Sequence, residues 1–291
     1  MLAILIKLLK PLLAKMIYQE EKIRTIFWGP SRGSRYRIFK YGLSPLYGGW
    51  ETDAQHLFCK YVKPGFAAYD IGANYGIHSL LLAKIVGPGG HVYSFEPVRQ
   101  IFSGLVENIK LNKFSNVTCV NLAISDQSGI EEFFTAEHHG AGHLQSVGIK
   151  GGQKLTVETI MLDEFVFSKK NRPPSFIKID VEGAESKVLS GGEKVLSLYK
   201  PILLVDLHNP REDVAVGRIL LKFGYKAYRT NHMDFVKDLS IGWPNPDGLW
   251  GQFIAFSGEN LIVYASHIFE HLSLVRFLQL FTLKQRSRFD S

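Results

Sequence analysis

Between residues 66 and 76 the chain passes from a short apolar run, Phe66 to Ile71, through Gly72-Ala73-Asn74-Tyr75-Gly76 into apolar residues at helical spacing (Ile77, Leu80, Leu81, Leu82, Ile85). A strand, a tight glycine turn and a helix start form the unit on which α/β proteins build nucleotide sites. Gly72 and Gly76 lack a Cβ where the backbone must turn sharply and approach a ligand closely. The turn also excludes something. A dinucleotide site favours G-x-G-x-x-G, whereas the order from Asp70 to Gly76 is D-x-G-x-N-x-G.

The alternation continues. A helix over 52–63 leads through Lys63-Pro64-Gly65 into the strand 66–71, and the helix 76–86 stops at Gly87-Pro88-Gly89-Gly90. Strands are predicted at His91–Phe95, Asn116–Ile124, Phe176–Asp180, Pro201–Leu207, Tyr225–Arg229 and Gln252–Phe256. Helices are predicted at Val98–Leu111, Ala184–Leu198 and Asp213–Phe223. This spacing implies right-handed crossovers and a parallel sheet. Residues 130–165 differ: short β-like pieces (Ile130–Thr135, Lys154–Glu158) flank a glycine-rich stretch with His138, His139 and His143. Long loops inside compact domains are more often lids or binding loops than spacers. No second ligand set accompanies these histidines, so solvated or substrate-contacting roles fit them better than a metal.

Ligands of open α/β sheets bind beyond the carboxyl ends of the strands. Those ends carry Asp70, Glu96, the segment Ala123 to Asp126, Asp180-Val181-Glu182-Gly183 and Asp206-Leu207-His208-Asn209. Several carboxylates and a histidine thus gather on one rim. Asp70 suits a ligand with a cationic amino group, which favours S-adenosylmethionine over NAD. Glu96 ends the second strand, where a carboxylate can accept hydrogen bonds from ribose hydroxyls. Its plainer role is a negative charge at the following helix N-terminus. Lys178 stands in a strand expected to be apolar on both faces, so it requires an acidic partner, and such a pair would also fix Asp180.

With 46% hydrophobic and 21% charged residues, the 291-residue chain can build a full core. Its net charge of +7 is spread thinly, apart from basic clusters near both ends, and basic and aromatic residues do not interleave. That argues against a nucleic-acid partner. Cys59 and Cys119 form no C-x-x-C pair and read as buried free thiols of a reducing, cytoplasmic setting. Residues 1–15 are too short and too often interrupted by lysine to span a bilayer. They form an amphipathic pattern that fits either an interfacial membrane anchor or a helix packed on its own domain, and the apolar tail near 261–283 reads similarly. The expected organisation is a basic amphipathic extension (1–50), one domain (51–257) and an apolar helical tail (258–291).

The chain resembles the FkbM-type S-adenosylmethionine-dependent methyltransferases. The resemblance rests on Y-D-I-G-A-N-Y-G-I-H-S-L-L-L-A (69–83), G-G-H-V-Y-S-F-E-P (89–97), N-L-A-I-S-D-Q-S-G (121–129), I-K-I-D-V-E-G-A-E-S-K-V-L-S-G (177–191) and I-L-L-V-D-L-H (202–208). It covers about residues 51 to 210. The family usually has glutamate where Asp206 stands. The resemblance implies a Rossmann-like seven-stranded α/β sheet of the class I methyltransferase type, with helices on both faces and terminal helical extensions. It implies S-adenosylmethionine as co-substrate, with Asp70, Gly72 and Asn74 at its methionine part and Gly76 of the same turn among the cofactor-binding residues. Glu96 would take its ribose, Ala123 to Asp126 would lie near adenine, and Asp180 and Glu182 near the transferred methyl.

Methyl transfer from a sulfonium is an in-line displacement, so near-attack geometry supplies most of the rate. A hydroxyl acceptor also needs proton removal. An unperturbed histidine is largely neutral at pH 7, which makes His208 the first choice of base and Asp180 the second. A lesser alternative gives Asp180, Asp206 and Asn209 a Mg²⁺ that acidifies a diol, and no metal ligand is assigned. The expected acceptor is a sugar, glycolipid or small secondary metabolite methylated on oxygen. The competing readings are an NAD-binding oxidoreductase and a non-catalytic, membrane-associated nucleoside-binding protein.

Overall fold

A computed structural model describes residues 22–37, 44–135, 142–144, 153–231 and 233–258. The amphipathic N-terminus, the tail beyond 258, His138 and His139 lie outside the described residues, as does the side chain of His143. Strands β1 (Ile23–Thr25) and β2 (Arg35–Arg37) pair antiparallel. Helix α1 (Thr52–Tyr61) then leads into β3 (Ala67–Ile71), α2 (Ile77–Val86), β4 (His91–Phe95), α3 (Arg99–Leu111) and β5 (Val117–Val120). Next come β6 (Ala123–Ser125), β7 (Gly129–Thr135), β8 (Gly142–Leu144), β9 (Gln153–Met161) and β10 (Phe176–Ile179). Helices α4 (Glu185–Ser190) and α5 (Glu193–Tyr199), β11 (Ile202–Asp206), α6 (Pro210–Lys222), β12 (Tyr225–Arg229) and β13 (Gln252–Ser257) complete the order.

Seven strands form one sheet in the order β12-β13-β11-β10-β3-β4-β5. The five from β11 to β5 run parallel, and β13 lies antiparallel to both of its neighbours. All five residues of β3 are buried, as a strand covered on both faces requires. Alternate side chains serve opposite faces. Tyr69, Ile71, Leu203 and Val205 pack with Val188, Leu196, Val216 and Leu220 of α4 to α6. Ala68, Ile202 and Leu204 pack with Leu57, Phe58, Leu81 and Val86 of α1 and α2. The chain steps outward from β3 to β4 to β5, then returns to set β10 on the other side of β3. That reversal opens a crevice at the carboxyl ends of β3 and β10.

The structure differs from the sequence expectations at several places. The strand expected over 116–124 is two strands in different sheets: β5 edges the main sheet, while β6 joins β7, β8 and β9 in a four-stranded one. The Asn121 side-chain amide causes the break, donating to the carbonyls of Glu96 and Pro97 at 2.8 and 2.9 Å. The helix expected over 184–198 divides at Gly191-Gly192. A Cβ on Gly191 would lie 2.0 Å from the Ser125 carbonyl oxygen, so helix and β6 meet backbone to backbone. Asp163 then accepts from the N–H groups of Lys194 and Val195 and starts α5 afresh. Helix α6 begins at Pro210, earlier than expected, because Asn209 caps it by accepting from Arg211 N–H at 3.0 Å. Cys59 is exposed on α1 rather than buried, and Cys119 is partly exposed; neither is in a disulfide. Among the described residues no helix is long and apolar enough to cross a membrane.

Gly191→Ala should lower unfolding free energy by about 2–4 kcal/mol in a denaturant titration, because backbone rather than a side chain must yield. Gly89→Ala, with open space at the Cβ position, should change it by less than about 0.5 kcal/mol.

Candidate active site

An open cleft of about 970 Å³, counted out to open solvent, lies over the crevice. Gly72 and Asn74 from the turn after β3, Glu96 after β4, and Asp180 and Glu182 after β10 line it. Leu122, Ala123, Ile124, Phe133 and Val98 give one part of the wall an apolar surface. Lys178 forms part of the floor, and Trp50, Glu51 and His78 close the side nearest α1.

Lys178 is 4% exposed in the middle of the sheet. Its Nζ donates to Asp180 Oδ2 at 3.0 Å and to the Gly72 carbonyl at 3.3 Å, and lies 3.7 Å from Asp70 Oδ1. Two acceptors thus take its N–H bonds, and Asp70 stands beyond hydrogen-bond reach as a second counter-charge. Burial alone would lower the lysine pKa, but Asp180 first, then Asp70 and Glu51, outweigh it and raise it. Burial would likewise raise the Asp180 carboxyl; Lys178, and next His208, hold it below its ordinary value. Both groups are ionised at neutral pH.

Asp70 does not reach the cleft. It is fully buried, and Ser79 Oγ, itself bonded to Ser94, donates to Oδ2 at 2.5 Å. The expected contact of Asp70 with a ligand's amino group is therefore corrected: the carboxylate is spent inside the sheet as the second counter-charge to Lys178. Gly72 does line the cleft, at φ 81°, and a Cβ there would lie 1.8 Å from the Asp180 carbonyl oxygen. Its small size serves the contact between the β3 and β10 ends. Gly76 stands outside the cleft, at φ 84°, where a Cβ would strike Leu105 at 2.5 Å.

Glu96 joins the turn to the end of β4. Oε1 accepts from Val98 N–H at 2.9 Å and Oε2 from Asn74 N–H at 3.1 Å. The helix-terminus role weighed from sequence is thus present, since Val98 caps α3. Each oxygen keeps a further lone pair, and the residue lines the cleft. Burial, opposed by those two N–H bonds, pushes its carboxyl up to about 7. The stability that this protonated carboxyl lends the fold is lost as pH rises through about 7. Ala123 lies in the apolar wall, but Asp126 lies outside the cleft, 3.2 Å from Ser125 Oγ.

His208 sits among acids from several segments. Nε2 lies 3.8 Å from Asp180 Oδ1 and 3.7 Å from Glu182 Oε2, and Nδ1 lies 3.6 Å from Glu185 Oε1. Burial would lower its pKa, but Glu185, Asp180, Glu182 and Asp206 carry it up to about 10. His208 therefore holds a proton at pH 7, which corrects the expectation of a neutral base. Burial raises Glu182, against the pull of His208, and pushes Asp206 up to about 6. Asp180, Glu182 and His208 each offer one ligand atom within 4.8 Å of the others. In the trio Asp180, Asp206 and Asn209, the Asn209 Oδ1 accepts from Arg211 N–H as the cap of α6.

Sequence reasoning missed Glu51 and His78. Glu51 precedes α1 in the left-handed region, at φ 43° and ψ 59°, without a side-chain capping bond. His78 occupies the first turn of α2 and is 3% exposed. Burial, and next Lys178, lower its pKa to about 4, so it is neutral. Their facing positions depend on how α1 crosses α2, which no local pattern records.

The family model described as "Methyltransferase FkbM domain" matches residues 70–230, more than half of the chain and most of the cleft lining; Tyr36, Pro45, Trp50 and Glu51 of that lining precede the match. The chain belongs to the FkbM methyltransferase family. It is 29% identical over 170 residues to the hexuronic acid methyltransferase AglP of Haloferax volcanii, covering 58% of this chain and 67% of that one. It is 24% identical over 161 residues to the 31-O-demethyl-FK506 methyltransferase FkbM of Streptomyces tacrolimicus, covering 45% of this chain and 61% of that one. The crystal structure of Methyltransferase FkbM from Methylobacillus flagellatus is 16% identical, with a TM-score of 0.43 over 70% of this chain and 51% of that chain. In this FkbM-family chain the K-I-D-V-E-G segment (178–183) supplies the buried lysine and two of the four acids that line the cleft, Asp180 and Glu182.

Lys178→Met should cost about 3–5 kcal/mol of unfolding free energy, since it strands Asp180 and Asp70 without a buried counter-charge. Adding Asp180→Asn should restore part of that loss in the same denaturant titration.

Proposed function

We propose that the protein transfers the methyl group of S-adenosylmethionine to an oxygen of a sugar or another small hydroxylated acceptor. One observation carries the reading: the glycine turn, Glu96 and the Asp180–Glu182 segment meet in one cleft at the sheet's reversal point. Glu96 would accept hydrogen bonds from the ribose hydroxyls. The apolar wall with Ala123 would take the adenine, and the sulfonium would lie toward Asp180 and Glu182. The names of the two relatives support an oxygen acceptor, one specifying a hexuronic acid and the other an O-demethyl compound.

In the transfer the acceptor oxygen attacks the methyl carbon in line. The S–CH₃ bond breaks, its electron pair stays on sulfur, and the acceptor's proton must leave. His208 already carries a proton, so it serves as a cation rather than a base. Glu182 takes the base role: it lines the cleft, is partly exposed, and has a raised carboxyl pKa that matches proton capture better than that of Asp180. It sits at φ 57°, in the left-handed region, and is followed by Gly183 at φ 103°. Glu182→Gln should reduce turnover about 100-fold once an acceptor is in hand, with affinity for the uncharged thioether S-adenosylhomocysteine nearly unchanged. Equal losses in both would count against a base.

Calorimetric titration with S-adenosylmethionine tests the donor. Binding is expected with this ligand and not with NADH; the reverse result would favour an oxidoreductase. Because ribose needs Glu96 ionised, affinity should fall up to about tenfold per unit as pH drops below about 7. His208 keeps its proton across that window. Affinity that stays level or rises on acidification would remove Glu96 from the ribose.

A further inference from the structure

We propose that Glu51 and His78 together form the seat for the α-ammonium group at the donor's amino-acid end. The inference rests on the donor reading above and gives its polar end a recognition site. Glu51 Oε2 and His78 Nε2 are both buried and without a hydrogen-bond partner, and they stand 3.7 Å apart. That distance is too long for a bond between them and short enough for one nitrogen to donate to both. Both residues line the cleft, beside Gly72 and Lys178. An orphaned buried acceptor is costly to leave unmet, so two facing each other mark a place for a donor group.

The chemistry selects a cation. A primary ammonium has three N–H bonds, one for the carboxylate, one for the imidazole lone pair and one for a backbone carbonyl of the turn. His78 is neutral, and with its proton on Nδ1 the Nε2 lone pair is an acceptor. A ligand carboxylate would meet Glu51 with like charge, and Lys178 already donates to Asp180 and Gly72 and is paired in charge with Asp70. Asp70 is sealed inside the sheet, which leaves Glu51 as the acid on this side of the cleft. The Trp50 side chain hydrogen-bonds the same carboxylate, and His78 lies edge-on to Phe58 at 5.2 Å, so both acceptors are held in place before a ligand arrives.

The test compares three probes on the full chain by calorimetry: S-adenosylhomocysteine, its analogue with a hydroxyl in place of the α-amino group, and 5′-methylthioadenosine, which lacks the amino-acid end. The unmodified protein should prefer S-adenosylhomocysteine over the hydroxyl analogue. Glu51→Gln should weaken S-adenosylhomocysteine about tenfold, erase that preference, and leave 5′-methylthioadenosine within about twofold. His78→Phe, which keeps the packing on Phe58, should act in the same direction. A preference that survives both substitutions overturns the proposal, as do equal losses for all three probes. If the unmodified protein binds 5′-methylthioadenosine but shows no preference between the other two, the inference falls and the donor reading stands. If it binds none of the three, the donor reading falls and takes the inference with it.

Discussion

The cleft depends on one buried cation. Lys178 occupies a place in the centre of a parallel sheet where an apolar side chain would ordinarily stand. It bridges the turn after β3, through the Gly72 carbonyl, to the end of β10, through Asp180, with Asp70 as a second counter-charge. A buried ion pair seldom adds net stability over well-packed apolar residues. What it contributes here is position: two strand ends at the reversal point are held at one separation, and Asp180 stays ionised. Gly72 completes the junction, since only a residue without Cβ lets the two backbones approach so closely.

Around that fixed point the charges divide. Asp180 is held low by Lys178, whereas burial raises Glu51, Glu96, Glu182 and Asp206. His208 answers this excess of acid by keeping its proton. A rim of this kind favours a cationic ligand and would stabilise a bound sulfonium in its ground state. Methyl transfer disperses that charge, so the acids cannot be the main source of rate. Alignment of acceptor oxygen, methyl carbon and sulfur has to supply it. The junction of Lys178, Gly72 and Asp180 provides the rigid base for that alignment.

Much of this was legible in the sequence, because strand ends and glycine turns leave local marks. The D-x-G-x-N-x-G turn, Glu96 after the second strand and the misplaced lysine of K-I-D-V-E-G each break a pattern that would otherwise be apolar, and each reaches the cleft or its floor. Asp70 misled because its place at a strand end says nothing about which way the side chain is covered; Ser79 of α2 lies over it. The state of His208 was hidden for a different reason. Its acids come from the ends of β10 and β11, the turn after β10 and the start of α4, and only the folded chain brings them together. Glu51 and His78 face each other across two helices, a relation without any periodicity to read. The division at Gly191-Gly192 was visible only as two glycines, not as a contact with β6.

The central claim is that the Lys178 junction sets the donor site and that Glu96 reads the ribose. A crystal structure of the protein with S-adenosylhomocysteine tests it most directly. The account expects both ribose hydroxyls on Glu96, the thioether sulfur facing Asp180 and Glu182, and Lys178 still bonded to Asp180 and the Gly72 carbonyl. A nucleoside seated elsewhere, or Lys178 turned away from Asp180 toward the ligand, would contradict it.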